Sequence, residues 1–186
     1  MTFTRFSFLD ARGPGQRCCP AAEALQVREG LREAGAVILS AEPFEWETGA
    51  PAWRALSIRQ PHAALIAAGR KRIETRSWST NYRGPILIHA AAGPVPREAR
   101  QQPGLMEMAA GLPDVRGAFV AVAFLTDCRP ITPELIAALP EAERTAGYYS
   151  PSRFAWTLED VRPLPEPVPA RGHLGIWSYE EAISCC

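Results

Sequence analysis

The sequence predicts an α+β fold, a small mixed β-barrel with helices inserted between its strands. Three observations predict it. Short apolar runs of strand length recur from residue 53 onward. The segments between them carry helix start and stop residues, but strands and helices do not alternate in the regular way a doubly wound sheet requires. The chain has 186 residues, 47% of them apolar, which is enough for one core and an extension.

The elements follow in order. Ala11 to Gln16 is a Gly/Pro breaker cluster. Pro20 to Ala34 suits a short helix, with proline in its first turn and Gly35 as its stop. Ala36 to Ser40 suits a strand, and Glu42 to Pro51 an acidic linker. Residues 1–52 are read as an N-terminal extension, poorly ordered or loosely docked, ahead of a domain at 53–180 and a tail at 181–186. In the domain, Ala55 to Ile58 alternates as a strand. Pro61 to Ala68 is a helix opened by proline and closed by Gly69. Arg70 to Trp78 reads as a second strand, Asn81 to Gly84 as a turn and Pro85 to Ala90 as a third strand. Pro96 to Met108 is helical with an interruption at Pro103-Gly104. Ala118 to Thr126 is the most apolar strand and the expected centre of the sheet. Pro133 to Leu139 is a helix capped by Thr132. Arg153 to Glu159 and Gly172 to Trp177 close the sheet, and the proline-rich stretch 163–169 joins them as a stiff extended connector.

Formal net charge is zero, so no overall field draws the protein toward nucleic acid. The distribution is uneven. Arg54 to Arg100 holds nine basic and two acidic residues, whereas 101–186 holds six basic and eleven acidic. The basic stretch either faces an anionic ligand or is neutralised by the acidic half. Five cysteines (Cys18, Cys19, Cys128, Cys185, Cys186) lack zinc spacing and read as reduced thiols of a cytoplasmic protein. No stretch has the length of a membrane span, and no secretory signal pattern is visible. The sequence carries no metal-ligand cluster and no phosphate-loop or dinucleotide glycine motif, so the reading includes neither metal nor cofactor. It sets no oligomeric state.

The chemistry concentrates at one place. Nineteen of the twenty basic residues are arginine, and the single lysine is Lys71, inside Gly69-Arg70-Lys71-Arg72-Ile73-Glu74-Thr75-Arg76. Lysine is a flexible point charge that releases its proton when buried, whereas guanidinium stays charged. Lys71 is thus a candidate nucleophile, proton acceptor or phosphate contact, set against the plain alternative of one lysine surviving in an arginine-rich background. Strand alternation would put Arg72, Glu74 and Arg76 on one face, with Ile73 and Thr75 opposite. Glu74 then either orients the amine and exchanges a proton with it, or belongs to a structural ion-pair ladder. Arg59 offers a fork for phosphate and Gln60 a base-edge reader; turn contacts are the alternative for both. Trp78 and Tyr82 flank the basic strand as base-stacking candidates or as core. Tyr148, Tyr149 and Ser150 lie on a loop that closes over a ligand or forms a packed corner. His89 and His173 suit satisfied structural histidines.

Gly69-x-Lys71-x-x-Glu74-x-Arg76 resembles the G-x-K-x-x-E-x-R signature of the ASCH domain family. Leu56 to Ala63 looks like that family's opening strand and helix start, Arg83 to Ala90 like its next strand, and Phe154 to Trp156 with Gly172 to Trp177 like its closing strands. The likeness covers roughly Trp53 to Tyr179. His62 stands where many relatives carry tryptophan. The resemblance implies a PUA-like β-barrel with a cleft formed by the signature residues, and a ligand that is RNA or a modified nucleotide or nucleoside. One branch of relatives consists of amidohydrolases acting on N4-acetylcytidine through a lysine and a threonine; the lysine matches Lys71, and the threonine falls at Glu74. Other relatives are reported to cut RNA. The leading expectation is an RNA- or nucleotide-binding domain. The rival is a hydrolase using Lys71 and Glu74, and a third reading is a protein-interaction module engaged through the N-terminal extension.

Overall fold

The structure is a computed structural model and describes residues 2–10, 13–20, 24–45 and 53–180. Of the expected acidic linker, residues 46–51 lie outside the described residues, as does the tail at 181–186. Two compact units form, one from residues 1–51 and 82–84, the other from 52–81 and 85–186.

In the first unit, β1 (Thr2–Asp10), β2 (Gly13–Pro20) and β3 (Val37–Glu45) make an antiparallel sheet in the order β2-β1-β3. Helix α1 (Ala24–Glu33) lies between β2 and β3 in sequence. Its buried Leu31 packs with Ala36, and Ala24, Val27 and Ile38 gather around them. Gly35 ends the helix at φ 76°. The sequence placed one helix and one strand here; the Gly and Pro content of β2 hides the hairpin, although β1 itself carries no such breaker.

The second unit carries the core. A six-stranded sheet runs β5-β8-β7-β6-β4-β9, from β4 (Trp53–Ile58), β5 (Ile73–Arg76), β6 (Gly84–Ala90), β7 (Ala118–Pro130), β8 (Phe154–Pro169) and β9 (Ile176–Tyr179). β4 pairs in parallel with β6 and antiparallel with β9. β8 is antiparallel to both β5 and β7. The mixed α+β class holds, but the sheet has free edges at β5 and β9 and does not close into a barrel. The pattern of short strands specifies a mixed sheet without specifying that its ends meet. β6 is buried along its whole length, and Leu56, Leu65, Ile66, Leu87, Ile88 and Phe119 are fully enclosed. Each such side chain contributes about 1.5–3 kcal/mol by leaving water.

Helix α2 (His62–Ala67) follows β4 through a cis Gln60–Pro61 bond. The break at Pro103-Gly104 divides α3 (Arg97–Gln101) from α4 (Leu105–Met108). Thr132 caps α5 (Pro133–Ala138), its Oγ1 accepting the Leu135 N–H at 3.2 Å. A further short helix, α6 (Glu141–Thr145), had no clear sequence signal.

The proline stretch 163–169 is not a connector but the second half of β8. Its prolines stand at every second position, the spacing at which regular strand alternation puts the missing N–H groups on one edge. Ala170 N donates to Gly117 O at 3.0 Å, so the ladder there uses the N–H beside Pro169, and the register with β7 shifts between Val168 and Pro163. β5 reaches only as far as Thr157, so the proline edge has no ladder to break.

Gly172 shows how closely the 170–175 loop covers the sheet. A Cβ there would lie 2.5 Å from His89 Cε1, 2.7 Å from Nδ1 and 2.8 Å from Ser57 Oγ. His89 Nε2–H donates to Ala170 O at 3.0 Å, and Ser57 Oγ accepts from Trp177 Nε1 at 3.2 Å, so neither side chain is free to retreat. Gly172→Ala is expected to destabilise the protein by about 1–3 kcal/mol through overpacking, read as a lower denaturation midpoint.

Among the described residues no helix is long and apolar enough to cross a membrane, and no three His, Cys, Asp or Glu side chains gather as a metal site. Cys128 Sγ accepts the Thr80 N–H at 3.4 Å.

Candidate functional site

Gly69, at φ 69°, ends α2 and lets the chain fold back on itself. The N–H groups of Arg70 and Lys71 then both reach Leu65 O, at 2.9 and 3.1 Å. Those bonds keep Lys71 and Arg72 out of the strand, so β5 begins only at Ile73, later than the sequence pattern suggested. The consequence is positional: Lys71 turns inward instead of joining the alternation of β5.

Lys71 is 1% exposed. Its Nζ donates to Ile73 O and lies 3.8 Å from Glu143 Oε1. The Tyr149 ring centre is 5.8 Å from the amine. Burial lowers the proton affinity of the amine. Glu74 and then Glu143 pull it back toward the charged form, and Arg76 opposes them.

Glu143, on α6, is the member of this cluster that sequence reading missed. Its Oε2 accepts the Arg72 N–H at 2.9 Å, while Oε1 accepts the Ile73 N–H at 3.1 Å and the Tyr149 hydroxyl at 2.8 Å. One carboxylate therefore fixes the start of the motif strand and the Tyr149 loop together. Tyr149 is held protonated far above the usual phenol range by burial, by the Glu143 charge and by that hydrogen bond. Nothing local distinguishes Glu143 from the exposed Glu141 two residues earlier; only the tertiary fold singles it out.

Glu74 is buried, and Arg76 Nε lies 3.2 Å from its Oε1. This is a contact of charges, since Nε makes no aligned hydrogen bond; the guanidinium is held instead by Nη2 donating to Ser57 O at 2.8 Å. His62 completes the group. Its Nδ1–H donates to Ala146 O at 3.1 Å, which leaves Nε2 as the acceptor. Burial lowers the affinity of the ring for a second proton; Glu74 opposes that, while Lys71 and Arg76 reinforce it.

The loop over the amine is equally constrained. Gln102 Nε2 donates to Thr145 O at 2.7 Å and Gly147 O at 3.2 Å. A Cβ on Gly147 would lie 3.0 Å from Lys71 Nζ and 2.7 Å from Tyr149 Cε2, so only glycine lets the backbone come this close.

The structure thus brings together Lys71, Glu74, Arg76 and Tyr149 of the expected site residues and adds His62 and Glu143. Gln60 is turned to the fold: its Nε2 donates to Val115 O at 2.6 Å and its Oε1 accepts from Ala64 N at 3.0 Å. Trp78 packs edge-on against Trp156 at 4.6 Å between ring centres. Ser150 Oγ bonds to Ser152 Oγ at 3.1 Å. Arg59 is exposed, with no side-chain hydrogen bond among the described residues. Tyr82 groups with the first unit, outside the unit that holds the cluster. The expected face shared by Arg72, Glu74 and Arg76 is reduced to Glu74 and Arg76, with Arg72 ahead of the strand and exposed.

The chain is 27% identical over 147 residues to activating signal cointegrator 1 of Homo sapiens, covering 75% of this chain and 24% of the relative. It is 28% identical over 148 residues to the Mus musculus protein of the same name, with the same coverage. The chain spans about a quarter of the length of the curated relatives it matches. The ASCH domain profile matches residues 56–168, more than half of the chain and the whole of the Lys71 cluster, and the chain belongs to the ASCH domain family.

Proposed function

We propose that the protein binds single-stranded RNA or a modified nucleoside, with the Lys71 cluster receiving the polar edge of a base. The observation that supports this reading is the gathering around one buried amine of two carboxylates, a phenol, an imidazole acceptor and a guanidinium, the nearest of them Glu143 at 3.8 Å and the Tyr149 ring at 5.8 Å. A base edge presents donors and acceptors side by side, and a site with both kinds of group discriminates among bases. Arg76 and Lys71 meet carbonyl or phosphate oxygens, Glu74 accepts from a base N–H, and the partly exposed Arg76, His62 and Tyr149 give the ligand its approach. Titration against labelled single-stranded RNA and a panel of free nucleosides, N4-acetylcytidine included, tests it. RNA binding is expected to weaken steeply with salt, and Glu74→Ala to reduce affinity about tenfold. Absence of binding to any of these probes at low salt refutes the reading.

A second reading, hydrolysis of an acylated nucleoside, has its own support. Burial eases loss of the Lys71 proton, and Glu143 stands 3.8 Å away to take it up or return it. The amine would then attack the amide carbonyl itself, or take a proton from the water that attacks it. Release of acetate from N4-acetylcytidine by the parent protein, lost in Lys71→Arg, is the expected result. A parent that releases none eliminates this reading and leaves the binding reading in place.

A further inference from the structure

We propose that Tyr148 and Arg153 form a second subsite that stacks the unpaired base next to the one received at Lys71, so that the ligand is a strand and not a free nucleoside. The proposal rests on the reading of the Lys71 cluster as a base-binding site.

The loop that carries Tyr148 is fixed from inside. His62 holds Ala146 O, Gln102 holds Thr145 O and Gly147 O, and the Tyr149 hydroxyl is bonded to Glu143. Consecutive residues of this fixed loop point in different directions. Tyr149 enters the Lys71 cluster, and Tyr148 stands outside it with 67% of its surface exposed. A ring kept in water on a braced loop is pre-organised for a partner, since binding costs little ordering entropy.

Arg153 supplies the other half. Its guanidinium carbon lies 5.7 Å from the Tyr148 ring centre. Its Nη2 donates to Thr75 O at 2.6 Å, the carbonyl between Glu74 and Arg76 in β5. The outer platform and the inner cluster are thus tied to the same four-residue strand. A cation against part of an aromatic ring, with the rest of the ring open, suits a stacked base with its phosphate beside it. Such stacking tolerates any base, because every base has a π-face. Selectivity would then come from the inner site and length dependence from the outer one.

The experiment compares a free nucleoside with a single-stranded RNA of about eight nucleotides, within the usual span of such binding sites, by fluorescence anisotropy and by competition. The parent is expected to bind the RNA more tightly than the nucleoside. Tyr148→Ala is expected to weaken RNA binding about tenfold, the loss of one stacked base, with nucleoside affinity unchanged and Tyr148→Phe close to the parent. Tyr148 is exposed, so Tyr148→Ala is expected to fold as the parent does. If nucleoside and RNA bind equally well, or Tyr148→Ala leaves RNA affinity untouched, the second subsite is refuted while the base-binding reading stands. If neither probe binds, both are refuted.

Discussion

Glu143→Ala is expected to cost about 3–5 kcal/mol of folding stability, more than a typical single substitution in this chain. The carboxylate accepts three hydrogen bonds, from the Arg72 and Ile73 N–H groups and the Tyr149 hydroxyl. Truncation strands all three donors in a site where the neighbouring amine is 1% exposed. A buried donor left without a partner costs about 1–3 kcal/mol, and the buried Lys71 loses its nearest counter-charge as well. Urea denaturation measures the difference in midpoint at constant slope. Glu143→Gln keeps the shape and one acceptor oxygen but turns an NH2 group toward a backbone N–H, so an intermediate loss is expected. A second readout is independent of stability. The Tyr149 phenol is held up partly by the Glu143 charge and hydrogen bond, so its titration is expected to move back down in Glu143→Gln. A Glu143→Ala protein as stable as the parent would mean that water replaces the carboxylate at all three donors, and that Glu143 is not the brace of this site.

The division between what the sequence showed and what it hid follows from the range of each interaction. Lys71, Glu74 and Arg76 were visible because their spacing is local and lysine is unique in the chain. The strands β4, β6 and β7 were visible because each is an apolar run bounded by turn residues. Glu143 was not, because it lies 70 to 72 residues from the backbone and amine it serves. His62 was noticed as a departure from its relatives, but its role depends on Ala146 O, brought to it by the loop after α6. The proline stretch misled for a related reason. Proline content argues against a strand only where the N–H is needed, and which edge of β8 is paired is a tertiary fact. Barrel closure was equally out of reach, since no local pattern records whether β5 and β9 meet.

Replacing Lys71 with methionine is expected to separate stability from function. The amine makes one hydrogen bond, to Ile73 O, and its proton affinity is lowered because burial outweighs the attraction of Glu74 and Glu143. Methionine matches its length and removes that desolvation cost. Glu143 keeps its three donors, so the carboxylate left behind is not stranded. Lys71→Met is therefore expected to fall within about 1 kcal/mol of the parent at neutral pH or to exceed it, in contrast to Glu143→Ala. Ligand affinity is expected to fall about 10- to 100-fold, the loss of a charge-assisted hydrogen bond. The two proteins should also differ in pH dependence. With the folded-state pKa of Lys71 below the unfolded value of about 10.4, the unfolded chain binds more protons in the window between them, and stability rises with pH there. The raised Tyr149 pKa acts oppositely, its contribution being lost only as pH climbs above about 10, the ordinary phenol value. Denaturation midpoints followed from neutral pH to just below 10 are thus expected to rise in the parent relative to Lys71→Met. A parent whose midpoint runs parallel to that of Lys71→Met across this window, or a methionine variant that keeps full affinity, would mean that the lysine is a packing residue with no functional charge.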